Sequence, residues 1–396
     1  MKLKQLKYKL RRTWEILIQA RFLPPMGMAA ILKHIYPIPY KKIWLVGAND
    51  DKFENNIRAF YMYLRDHTDV DVIWVANRDH IEHLKKQGVE NIVVRGSFKN
   101  YLYAANAKVA VYCHNDSDVA VRYYRYFKHN TLIANLGHGY NSIKKAPVPY
   151  FHWPADIIVA VSQIEKDIIM QSGVPDKKVQ ITGFPRLDYF DIQNEEKEIH
   201  KILLMPTWRD WYMDGNYDIG SMELFQKYSE MIREVKKLYN DRNEEVTFTF
   251  VFHPMFAKYF EKYKDKYSLE DTYILSDTDS TQEALSKSDM LITDYSSVAM
   301  DYIYMNKPLI LYWFDSEKYN AERGLHFELL PHLGNIVCYS SEDVVACVQK
   351  YMDCREEINS DRDYFYRYND KNNSKRLYQY LEKCSQKKQA RDKVQK

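Results

Sequence analysis

Disulfide chemistry has little to work with in this chain. Its 396 residues include five cysteines, Cys113, Cys338, Cys347, Cys354 and Cys384, and no two form a Cys-x-x-Cys pair. An odd, scattered set argues against a disulfide framework and points to reduced thiols in a cytosolic protein. Long apolar runs are also lacking. The run near the N-terminus, Phe22 to Leu32, is broken by Pro24, Pro25 and Gly27. It is too short to span a bilayer, and no signal-peptide cleavage pattern follows it. Excess charge of one sign is absent too. The formal net charge is +3, so the chain as a whole is no polyanion binder. Its basic excess sits at the two ends without a paired aromatic platform, and no nucleic-acid partner is expected.

Common signatures are missing as well. Without Gly-x-x-x-x-Gly-Lys-Ser/Thr there is no P-loop, and without Gly-x-Gly-x-x-Gly after the first strand a dinucleotide dehydrogenase is disfavoured. Neither His-Glu-x-x-His nor Gly-x-Ser-x-Gly occurs. Asp-x-Asp appears at Asp69–Asp71, Asp116–Asp118 and Asp277–Asp279. In an Asp-rich chain that is close to background, and no metal site or cofactor is expected.

What is present is ample core material and a regular alternation. Hydrophobic residues make up 46% of a chain too long for one ordinary core, so two domains are expected. Short apolar runs recur at Lys42–Ala48, Asp71–Ala76, Asn91–Gly96, Lys108–Cys113, Thr131–Leu136, Ile157–Val161 and Val179–Thr182. A second series runs Ile202–Met205, Thr247–Phe252, Tyr273–Leu275, Met290–Thr293, Leu309–Trp313 and Asn335–Tyr339. Helical patterns lie between the runs, which predicts parallel sheets with crossover helices. The fold class is α/β, with two doubly wound Rossmann-like domains. The boundaries expected are a first domain over 39–190, a polar linker over 191–200, a second domain over 201–375, and a C-terminal helix with a basic tail over 376–396.

Residues 1–38 form a separate segment. Leu3, Leu6, Leu10, Trp14 and Leu17 make one helical stripe, and residues 1–33 carry eight Lys/Arg against one acid, Glu15. A basic amphipathic helix with an interfacial Trp suits an anionic membrane surface. The alternative is a helix packed on the protein's own body.

Doubly wound sheets bind ligands beyond the carboxyl ends of their strands, and five such places carry phosphate-handling residues. They are His138-Gly139, Thr182 to Asp188, Pro206-Thr207-Trp208-Arg209-Asp210, His253-Pro254, and Thr293-Asp294-Tyr295-Ser296-Ser297. The last is a strand, a tight turn and a helix start. Its free N–H groups, positive dipole and two serine hydroxyls predict a phosphate site. Asp294, Ser296 and Ser297 are also good N-caps, and Asp294 is read as a turn and cap residue more than as a base.

These motifs, with Lys144, Lys307-Pro308 and Asp315-x-x-x-Tyr319-x-x-x-Arg323-Gly324, occur in the order seen in the CDP-glycerol glycerophosphotransferase family of teichoic acid primases and polymerases. The resemblance covers roughly residues 42 to 350. It departs at Gly137-His138-Gly139-Tyr140-Asn141-Ser142-Ile143-Lys144, where the family usually has Trp-His-Gly-Thr-Pro-x-Lys.

The resemblance implies a glycosyltransferase-B-like fold with the two domains facing across a cleft. It implies transfer of glycerol phosphate from CDP-glycerol to a hydroxyl of an undecaprenyl-linked disaccharide or polymer acceptor, with release of CMP, at the cytoplasmic face of the membrane. His138 would be the base. His253, with Pro254, would bind the pyrophosphate or protonate the leaving oxygen. Ser296, Ser297 and the helix start would hold donor phosphate oxygens, and Thr207, Asp210, Thr293 and Asp294 would be further substrate-binding residues. Arg186 and Arg209 would supply positive charge in place of a metal, and Gly139 and Lys144 would face the acceptor. For Arg186 and Asp188 a structural turn with a local ion pair is the competing reading. Use of CDP-ribitol, a capsule polymer, or a non-catalytic nucleotide- or membrane-binding scaffold are the functional alternatives.

Overall fold

A computed structural model describes residues 22–32, 42–48, 53–127, 129–141, 143–145, 154–193, 198–207, 209, 211, 222–251, 272–274, 281–353 and 361–394. The N-terminal stripe, His253, Pro254 and Asp210 lie outside the described residues.

The first sheet contains β1 (Ile43–Gly47), β2 (Asp71–Ala76), β3 (Ile92–Val94), β4 (Val109–Tyr112), β5 (Leu132–Asn135), β6 (Ile157–Ala160) and β7 (Val179–Ile181). Its order is β3-β2-β1-β4-β5-β6-β7, and every pairing is parallel. The second sheet contains β8 (Lys201–Met205), β9 (Thr247–Phe250), β10 (Thr272–Ile274), β11 (Met290–Thr293), β12 (Leu309–Tyr312) and β13 (Val337–Cys338). Its order is β10-β9-β8-β11-β12-β13, again parallel.

The physics of these strands is that of two-sided burial. Ile43-Trp44-Leu45-Val46-Gly47 is buried throughout, as are Leu132–Asn135 and Met290–Thr293. Continuous apolar strands fit only between two helical layers. The helices supply matching stripes. Asn55–His67 buries Ile57, Phe60, Tyr61 and Leu64, and Glu223–Asp241 buries Leu224, Tyr228, Met231, Ile232, Val235 and Tyr239. Both follow the three-and-four spacing of one helical face.

Each sheet reverses its strand order once, between β1 and β4 and between β8 and β11. Crevices open at such points. The fold is therefore glycosyltransferase-B-like, two Rossmann-like units whose strand ends face one cleft.

The C-terminal helix Asn373–Val394 crosses back to the first unit. Tyr378 packs on Trp44 with ring centroids 5.5 Å apart, Lys388 pairs with Asp156 at 2.8 Å, and Lys108 pairs with Glu382. The C-terminal helix thus braces the first unit through these contacts. Among the described residues no helix is long and apolar enough to cross a membrane.

Candidate active site

The Thr182–Asp188 stretch has three structural duties. Gly183, at φ +81, could carry no side chain, because a Cβ there would stand 1.9 Å from Asn373 Oδ1. The Asp188 carboxylate accepts the backbone N–H groups of Asn373 and Ser374, both at 2.8 Å. It thus caps the C-terminal helix from 185 residues away in sequence, where negative charge is favoured. Arg186, 4% exposed, reaches Asp301 on the other unit with Nη2 to Oδ1 at 2.8 Å and Nε to Oδ1 at 3.2 Å. Its Nη1 donates to the His138 carbonyl at 3.1 Å. The ion pair of Arg186 is therefore between units, not local to the turn. Burial opposes the charge on Arg186, but Asp301 more than offsets it and the guanidinium is held above its usual value.

Across the cleft, β8 and β11 are neighbours in register, with Thr293 opposite Met205. Thr293 Oγ1 donates to the Met205 carbonyl at 2.6 Å. The Asp294 carboxylate accepts the Thr207 N–H at 2.9 Å and the Tyr295 N–H at 2.6 Å. Arg209 is fully buried between Asp294, at 2.8 Å, and Asp315, at 2.7 Å. Its guanidinium carbon lies 4.9 Å from the Tyr295 ring centre and 5.1 Å from that of Tyr319. Tyr295 OH donates to Asp315 at 2.9 Å. One cation bound by two carboxylates and walled by aromatic rings is not an open anion site. The expectation that Arg209 faces phosphate is corrected on that ground: it ties the two strand-end loops together. Asp294 is likewise the hub of the turn.

The helix Val298–Met305 starts directly after Ser296 and Ser297. Ser297 takes the N-cap position but makes no side-chain cap hydrogen bond, its backbone already being helical at φ −66 and ψ −12. The expected Ser297 cap is thus not formed by its hydroxyl. Gly139 comes so near that a Cβ on it would stand 2.7 Å from Ser297 Oγ. The histidine loop of one unit therefore touches the serine turn of the other.

Between them lies a cavity of about 520 Å³. His138, Lys144, Arg186, Thr207, Ser296 and Ser297 line it, so residues from four of the five strand-end motifs meet there. The loop bearing Lys144 is fastened to the second unit by an antiparallel bridge between Lys144 and Leu325. Lys145 N–H donates to the Gly324 carbonyl at 3.0 Å and His326 N–H to that of Ile143 at 2.9 Å. Asp301, Glu54 and Gln282 also line the cavity and belong to none of the strand-end motifs. Asp301 could have been found by its place one turn into the helix that follows the serines. Asp116, of an Asp-x-Asp run, pairs with Arg125 at 2.8 Å, and Asp118 accepts the His114 N–H at 3.1 Å. Both are turn-forming carboxylates.

The family model of CDP-Glycerol:Poly(glycerophosphate) glycerophosphotransferase matches residues 28–383. The chain belongs to that family. Among its relatives, the teichoic acid poly(ribitol-phosphate) polymerase of Bacillus spizizenii (strain ATCC 23059 / NRRL B-14472 / W23) is 26% identical over 224 residues, 53% of this chain and 34% of that protein. The teichoic acid glycerol-phosphate primase of Bacillus subtilis (strain 168) is 28% identical over 262 residues, 63% of each chain. The matches thus span about a third and somewhat under two thirds of these relatives. In fold, the chain resembles the wall teichoic acid polymerase TagF, with a TM-score of 0.67 at 16% identity, covering 98% of this chain and 99% of that one. The family is one of teichoic acid glycerophosphate and ribitolphosphate transferases.

Proposed function

We propose that this glycerophosphotransferase-family protein moves glycerol phosphate from CDP-glycerol to a hydroxyl of a lipid-linked acceptor and releases CMP. The observation that carries the reading is the meeting of His138-Gly139 from one unit with Ser296-Ser297 from the other at one cavity. In the reaction the acceptor oxygen bonds to the β-phosphorus, and CMP leaves with the electron pair of the broken P–O bond. His138 takes the hydroxyl proton, a role suited to an imidazole near neutrality. The serine hydroxyls and the start of the helix Val298–Met305 hold donor phosphate oxygens. Catalysis of this kind is mainly positioning and charge stabilisation, and the proposal uses no metal or further cofactor. His253 is assigned to the pyrophosphate or the leaving oxygen on its sequence position alone.

The acceptor is taken to be an undecaprenyl-linked disaccharide or polymer, so the cleft works beside a membrane. Residues 1–21, with their Leu/Trp stripe and basic flanks, are proposed to attach the protein reversibly to the cytoplasmic face. Flotation on anionic liposomes, lost on deletion of residues 1–21, supports that attachment; equal flotation of both forms contradicts it.

The experiment for the donor is a CMP-release assay with CDP-glycerol and, separately, CDP-ribitol on a lipid-linked disaccharide. The proposal expects release with CDP-glycerol. Release with CDP-ribitol alone replaces the donor and keeps the chemistry, and release with neither removes the reading.

A further inference from the structure

His114 stands two residues beyond the end of β4, in none of the motifs that led to the site. Its ring lies against that of His138, with centroids 4.6 Å apart and planes tilted by 40°. Behind His114 is Asp118, 2% exposed. Asp118 Oδ2 accepts the backbone N–H groups of His114 at 3.1 Å and Asn115 at 3.3 Å. The same oxygen lies 3.8 Å from His114 Nδ1, an atom screened from solvent. The Asn115 side chain closes a capping box with Asp118, so the carboxylate is held firmly. From the interior outward the order is Asp118, His114, His138, cavity.

We propose that His114, backed by Asp118, is a positioning residue for His138: it holds the His138 ring at the cavity wall and stabilises the charge which that ring gains with the acceptor proton. The inference rests on the reading of His138 as the base. When the hydroxyl proton passes to His138, its oxygen bonds to phosphorus and CMP departs with the electron pair, leaving an imidazolium on the wall. The Asp118 carboxylate beyond His114 favours that cation, whereas a second imidazolium 4.6 Å away would oppose it. The two rings therefore titrate as a linked pair.

Other charges face the same groups. The Arg186 guanidinium, on the His138 carbonyl, is neutralised by Asp301. Lys144, Glu54 and Arg323 share the cavity wall, the Asp116–Arg125 pair flanks the turn, and Arg95 acts on Asp118. Burial pushes the Asp118 carboxyl up to about 6, against the pull of the His114 and Asn115 N–H groups.

The test uses the full chain with CDP-glycerol and the lipid-linked acceptor, and compares His114→Phe, His114→Asn and His138→Ala. His114→Phe keeps a flat ring and removes both ring nitrogens. The expected result is a kcat lowered roughly tenfold or more, a donor KM changed by less than roughly twofold, and a displaced His138 ring NMR titration that no longer shows two linked steps. His114→Asn should act in the same direction. In the unaltered chain the His114 and His138 resonances should titrate in two linked steps, which needs no variant to fold. Independent one-step titrations overturn the proposal, and so does a His114→Phe protein with unchanged kcat and unchanged His138 titration. A His138→Ala protein of undiminished turnover overturns the underlying assignment of the base. An inactive His138→Ala protein beside an unaltered His114→Phe protein overturns this inference alone.

Discussion

Arg186 of the first unit and Asp301 of the second form an ion pair 2.8 Å long, with side chains 4% and 6% exposed. Asp301 lies in the helix whose start carries Ser297, and Arg186 also holds the His138 carbonyl. One buried pair thus connects the helix that follows the serines to the backbone of the proposed base. Removal of one partner of such a pair leaves an uncompensated charge and costs about 3–5 kcal/mol. Asp301→Ala should therefore lower stability by about that amount, measured by denaturant unfolding, and should reduce turnover. The double change Arg186→Met with Asp301→Leu should recover most of the stability but not the turnover. Recovery of both would make the pair structural only.

The approach of Gly139 to Ser297 gives a second expectation. Gly139→Ala places a methyl group 2.7 Å from Ser297 Oγ, so the hydroxyl must rotate away. Affinity for CDP-glycerol should fall, roughly tenfold for one lost charge-assisted hydrogen bond. The same change in a Ser297→Ala background should cost much less, because neighbouring sites are not additive. Isothermal titration of the four proteins measures this coupling.

Ser296 and Ser297 should contribute more to binding than to folding. Ser297 makes no side-chain cap hydrogen bond, so the usual loss of about 1 kcal/mol for a missing cap is not expected there. Replacement of both serines by Ala should weaken donor binding while the unfolding midpoint stays nearly constant. An unchanged affinity would show that the turn holds no phosphate.

A pH dependence follows from Glu165 in the helix Gln163–Gln171. Its carboxylate accepts the N–H groups of Asn141 at 2.9 Å and Val161 at 2.8 Å. Burial pushes its pKa up from 4.5 to about 7, against the pull of those N–H groups. A carboxyl with a raised folded value binds more protons folded than unfolded between those limits. Its contribution to stability is thus present at low pH and lost as pH rises through about 4.5 to 7, about 3 kcal/mol in all. Glu165→Gln should flatten the pH dependence of the unfolding midpoint over that window. An equally steep profile in the variant would assign the dependence to other groups.

Much of the fold was legible because its strands are buried on both faces. Met290–Thr293 reads as a short apolar run, and it is β11 with those limits. The strand-end motifs were legible for the same reason, since parallel sheets fix where ligand crevices open. Three features were not. The partner of Arg186 is Asp301, 115 residues on, and local spacing carries no sign of it. Arg209 looks like a phosphate ligand by type, but only the fold brings Asp294 and Asp315 to either side of it. Ser297 is a good cap by preference, yet its helical backbone leaves the hydroxyl out of that role. For the two arginines a contact between distant segments overrides a local rule, and for Ser297 the turn's own backbone does.

The central claim is that His138 takes the acceptor proton while CDP-glycerol is held on the facing unit. It is tested most directly by the rate of CMP release from CDP-glycerol, with a lipid-linked acceptor, for the unaltered chain and for His138→Ala. Loss of a general base lowers turnover by about 10²–10⁴. The account predicts a fall of at least two orders of magnitude, with CDP-glycerol binding retained. Near-normal CMP release by His138→Ala would contradict it.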